Sequence, residues 1–153
     1  MDKINLVIDK LVYDSGYLFE IIYDNNLPMP GMSFLEKDIR NINRYKILIN
    51  YDLIKDEHIS VIAHILSHEW GHHILKHTSI DPSLLSDDML LNFEIEADTY
   101  AYNFIIKNNY NIKDIENYIK KNFENETIKY KNQLNLFEKR INILKKYKYI
   151  KKI

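Results

Sequence analysis

The sequence predicts an α+β domain, small and mostly helical, with a short three-stranded β-sheet packed on one long helix. Apolar residues recur at helical spacing over 2–14, 57–77, 87–107 and 124–148, while three short stretches between residues 17 and 50 are β-rich. Only three Gly and three Pro occur in 153 residues, so most of the chain belongs to regular elements. Apolar residues make up 46% of it, enough to bury a core. The length fits a single domain over 1–153, with 1–110 as its core and 111–153 as a helical extension.

The elements follow in order. Ile4, Val7, Ile8, Leu11 and Val12 set one face of a first helix, which Ser15-Gly16 breaks. Residues 17–23 read as a strand, and the turn formers of 24–31 close it. Met32 to Glu36 make a second strand, 38–43 a turn, and 45–50 a third strand with Tyr45, Ile47 and Ile49 on one face. A helix capped by Asp56 is expected over 57–77, striped by Ile59, Ile62, Ala63, Leu66, Trp70 and Ile74. Ser86 caps the next, over about 87–107, with Asp87 and Asp88 at its positive end and Asn108-Asn109 closing it. Residues 113–121 and 124–148 are expected to be helical, with Ile128, Leu134, Phe137, Ile141 and Leu144 buried. Lys145, Lys146, Lys148, Lys151 and Lys152 form a solvated end.

Bulk properties exclude several classes. A formal net charge of −1 argues against a nucleic-acid binder. With no Cys there is neither a disulfide nor a thiolate site, so any metal must use His and carboxylates. The first residues lack the basic segment and long apolar run of a signal peptide, and no apolar run of membrane-spanning length occurs; a cytoplasmic, non-membrane protein is expected.

Residues 68–72 read His68-Glu69-Trp70-Gly71-His72, or HExxH. On a helix the two histidines lie one turn apart on one face, so both imidazoles can grip one Zn²⁺. Glu69 stands beside the first, where it can take a proton from water activated by the ion. A catalytic zinc site needs a third protein ligand and an open position. Glu94 on the next helix suits that role. Asp98, at i+4, can accept the free ring N–H of a ligand histidine, and the small Ala97 and Ala101 let the two helices approach. Glu96 points about 200° away from Glu94 on the wheel, so the two cannot both be ligands, and Glu94 is preferred. His64 shares the ligand face but cannot join both motif histidines on one ion, and is expected to pack or to support a ligand. His58, His73 and His77 are expected at the surface. Gly71 suggests close approach of another backbone or of substrate.

The pattern of 68–75 (HEWGHHIL) followed by 94–101 (EIEADTYA) resembles the ImmA/IrrE family of metallopeptidases. The order before it fits too: an N-terminal helix, short strands with a Leu-Pro turn, and a last strand ending at Asn50. The likeness covers about residues 1–107. It implies zinc held by His68, His72 and Glu94, with Glu69 as general base. It also implies a bacterial or phage protein that cuts a helix-turn-helix transcriptional repressor of a mobile element or stress operon. Family members often carry Asn where this chain has Asp98; Asp there is similar to other peptidases with a Glu third ligand, such as the minigluzincins.

The expected activity is therefore zinc-dependent endopeptidase. Substrate would lie extended along an edge strand, taken as 45–50, and Tyr100, Tyr102, His77 or Arg44 could stabilise the oxyanion. The alternative is a catalytically silent module that sequesters a repressor or antitoxin. The intact set of ligands with Glu69 speaks against it. A purely structural zinc site is disfavoured because such sites close with four protein ligands and prefer Cys.

Overall fold

The computed structural model describes residues 2–125 and 138–146. It is the expected α+β domain. Helix α1 (Asp2–Ser15) is followed by strands β1 (Glu20–Tyr23), β2 (Gly31–Lys37) and β3 (Asn43–Ile49), and then by a short helix α2 (Tyr51–Ile54). Next come α3 (Ile59–Ile74), two 3₁₀ turns (His77–Ser79 and Pro82–Leu84), α4 (Asp87–Lys107) and α5 (Ile112–Asn125). Residues 138–146 are helical.

The sheet order is β1-β3-β2, with β1 parallel and β2 antiparallel to β3. Residues 45–50 therefore supply the central strand and not an edge; the outer strands are β1 and β2. The β2–β3 hairpin turns on Asp38, whose Oδ1 accepts from the N–H groups of Arg40 and Ile42 at 2.8 and 3.0 Å, while Asn41 takes φ 61°. β1 is shorter than the β-rich run 17–23. Its ladder begins only at Glu20, opposite Lys46, because Phe19 turns into the core against Trp70 and His73, each ring centroid 4.8 Å away.

The expected helix 57–77 is trimmed to 59–74 and preceded by the short α2. Asn50 caps α2, and its Nδ2 donates to Leu27 O at 2.8 Å, which ties down the Leu-Pro turn. α3 then starts afresh, capped by His58 and not Asp56: the ring Nδ1 accepts from Ser60 N–H at 3.1 Å. Ser86 caps α4 as expected, accepting from Met89 N–H at 3.2 Å.

α3 is the axis of the molecule. Every residue from Ser60 to His73 is buried, enclosed by α1, α4, α5 and the sheet. Trp70 is wholly buried and its Nε1–H donates to Ser15 Oγ at 3.0 Å, anchoring the end of α1. One hydrophobic cluster joins Ile4, Val7 and Leu11 of α1 to Ile47 and Ile49 of β3, to α3 and α4, and to Ile115, Ile141 and Leu144. Ile141 and Leu144 are buried and Lys145 and Lys146 exposed, as expected; Ile128, Leu134, Phe137, Lys148, Lys151 and Lys152 lie outside the described residues. No helix among the described residues is long and apolar enough to cross a membrane.

Candidate metal centre

A helix buried on all sides should be apolar, yet α3 carries His64, Ser67, His68, Glu69, His72 and His73 in its buried stretch. Buried polar groups persist only when paired, so their partners define the site. His68 and His72, one turn apart, turn their Nε2 atoms toward each other at 3.1 Å. Glu94 of α4 reaches both: Oε2 lies 3.0 Å from His68 Nε2 and Oε1 3.3 Å from His72 Nε2. These three side chains offer ligand atoms that all lie within 4.8 Å of one another. A four-coordinate ion holding nitrogen and oxygen ligands at about 2.0–2.1 Å sets them about 3.3 Å apart, close to these separations.

The remaining ring nitrogens also fit. His68 Nδ1 lies 2.7 Å from Asp98 Oδ1, so the imidazole donates its proton there and keeps the Nε2 lone pair for the centre. Asp98 is fully buried and receives two further bonds from Arg140, Nε to Oδ2 at 2.6 Å and Nη2 to Oδ1 at 3.1 Å. Arg140 Nη2 also stands 3.9 Å from Glu94 Oε2. Arg140 is not among the residues that the sequence singles out. It lies 42 residues beyond Asp98, and nothing local marks which helix would face α4.

Electrostatics point the same way. Burial opposes charge on His68, but Asp98 and Glu94 outweigh it and push its pKa up to about 10. Burial likewise opposes the Glu94 carboxylate, yet the two imidazoles hold it well below the usual carboxylate range. Asp98 is held low against burial by Arg140 and His68. A field that would keep a proton on His68 is one that attracts a cation, and the donor set contains only imidazole and carboxylate, which suit zinc.

Glu69 is buried, and burial raises its pKa against the pull of His68 and His72. It lies under β2. Ser33 Oγ donates to the Glu69 backbone O at 2.7 Å and stands 3.4 Å from Oε1, while a Cβ added at Gly31 would meet Glu69 Cγ at 3.2 Å. Glycine at 31 thus lets the carboxylate lie beneath the outer strand. Gly71 marks a close approach, that of helix α4: Tyr100 packs over it, with Cδ1 and Cβ only 3.0 and 3.1 Å from where a Cβ would stand.

His64 packs as expected, stacked on Tyr102 at 5.3 Å, with its pKa lowered to about 3 by burial. His73 and His77 are not at the surface. His73 Nε2–H donates to Lys46 O and Nδ1 accepts from Thr78, each at 2.8 Å. His77 bridges His72 and Glu96, which is therefore a partner of His77 and not a member of the triad. His58 is exposed, as expected.

The four oxyanion candidates find other places. Tyr102 is sealed in the core, Tyr100 covers Gly71, His77 is engaged at both nitrogens, and Arg44 pairs with Glu20 at 3.9 Å across the β1–β3 ladder.

The family described as Peptidase U49 matches residues 18–140, a stretch that begins just ahead of β1 and ends on Arg140. Comparison with curated proteins and with solved structures finds no match.

Proposed function

The chain belongs to the peptidase U49 family, and from that premise we propose that it is a zinc-dependent endopeptidase, with His68, His72 and Glu94 as ligands and Glu69 as general base. As a peptidase it acts on protein substrates. The observation that carries the finer reading is the convergence of the two Nε2 atoms and the Glu94 carboxylate beside a buried Glu69. When bound, zinc would supply Lewis acidity, polarising the scissile carbonyl and bringing the pKa of water toward neutrality.

The chain's own residues do the rest. Glu69, raised in pKa by burial, takes the proton of the attacking water and returns it to the leaving amine. Asp98, held by Arg140, fixes the tautomer of His68. β2 is the outer strand over Glu69, so an extended peptide alongside it could borrow main-chain hydrogen bonds and present a carbonyl to the centre; it takes the place expected of 45–50.

For substrate we adopt the helix-turn-helix repressor implied by the ImmA/IrrE likeness, acting in the cytoplasm as one catalytic domain over 1–153. The zinc-loaded chain should cut such a repressor encoded beside its gene into discrete fragments, read by mass spectrometry, and a chelator should stop it. An intact repressor beside cleaved casein would remove the repressor as substrate and leave the peptidase standing.

A further inference from the structure

His77 has no part in the chemistry above, yet the fold brings it back to the centre. It lies five residues past His72, beyond the end of α3. Its Nδ1 stands 3.0 Å from His72 Nδ1 and its Nε2 2.8 Å from Glu96 Oε2. The turn between them is specific. Leu75 N–H still bonds Gly71 O, then Lys76 adopts φ 63°, ψ 24°, a left-handed conformation that an L side chain takes only at a cost. Thr78 beyond it clasps His73 Nδ1 at 2.8 Å. On α4, Phe93 and Glu96 are i and i+3 and share a stripe beside the Glu94–Asp98 face. The Phe93 ring stacks on His77 at 4.1 Å and 8°, while Glu96 meets Nε2. His77 is thus held by a ring face and at both nitrogens, and is 7% exposed.

Proton accounting leaves one arrangement. If His72 Nε2 is to offer a lone pair, its proton sits on Nδ1 and is donated to His77 Nδ1. His77 then carries its own proton on Nε2 and donates it to Glu96. We propose that His77 and Glu96 form a positioning relay that holds His72 in its Nδ1–H tautomer with Nε2 aimed at the ion, the counterpart of Asp98 and Arg140 behind His68. The inference rests on reading His68, His72 and Glu94 as a zinc site.

The test compares wild type, His77→Phe, Glu96→Ala and Glu96→Gln. Zinc affinity is measured by competition with a chelator of known affinity, and long-range ¹H–¹⁵N spectra of the loaded chains report the imidazole tautomers. His77→Phe should weaken zinc by about 10–100-fold and Glu96→Ala by about tenfold, the range typical of partners behind a ligand. Glu96→Gln keeps an oxygen acceptor and should recover most of the affinity. The Glu96 side chain is 54% exposed, so its variants should fold and carry the test even where His77→Phe does not. Glu96→Ala binding zinc as tightly as wild type would overturn the relay and leave the zinc site intact, whereas a loaded wild type with its His72 proton on Nε2 would remove that nitrogen as a ligand and the relay with it. A wild type that binds no zinc would instead remove the site, and the relay with it.

Discussion

Glu69→Gln should slow peptide hydrolysis by about 100- to 10,000-fold, the usual contribution of a positioned general base, while zinc binding stays unchanged. The substitution is nearly isosteric. Gly31 limits only the shape of Glu69, and the Ser33 hydroxyl, which bonds its backbone carbonyl and stands 3.4 Å from Oε1, can meet a Gln oxygen as well, so Gln fits the same space. What it loses is the basic oxygen. Parallel measurement of casein cleavage and of bound zinc separates the two properties. A variant that keeps full activity would remove Glu69 from the mechanism. One that loses zinc as well would make it a structural support of the ligands.

Arg140→Met should destabilise the fold by about 3 kcal/mol, the lower end for breaking a buried charge pair by deleting one partner. Asp98 is completely buried and receives both Arg140 bonds. Without them its charge is answered by His68 alone. The Arg140 side chain is still a quarter exposed, and this keeps the cost at the lower end. The loss should show as a lower denaturation midpoint with an unchanged denaturant slope. Combining it with Asp98→Asn should cost less than the two single changes added, because the stranded charge is gone. Strict additivity would mean that the pair is not coupled.

These two residues also mark what was legible in the sequence. Glu69, His68 and His72 lie within one helical turn, and Glu94 and Asp98 lie one turn apart on the next helix, so local periodicity alone marks each group. The α+β class was legible for the same reason, since helical and strand spacing differ. Arg140 and His77 were not, because their placement depends on tertiary return. Arg140 comes from a later helix whose facing side depends on packing. His77 comes back through a left-handed Lys76, a residue that carries no turn signal of its own. Strand order failed in the same way: the apolar alternation of 45–50 marks a strand but not its neighbours, and the parallel β1–β3 ladder made it central. The cap of α3 was missed because an imidazole took a task usually left to Asp or Ser. His73 was misplaced because a helix wrapped on every side has no solvent face, whatever its stripe implies.

The central claim is that peptide hydrolysis depends on zinc held by His68, His72 and Glu94. It is tested most directly by stripping the purified chain with a chelator, returning zinc in increments and following the cleavage rate. Activity should vanish in the stripped chain and return in proportion to bound zinc up to one ion per chain. Hydrolysis that persists undiminished in the metal-free chain would contradict it.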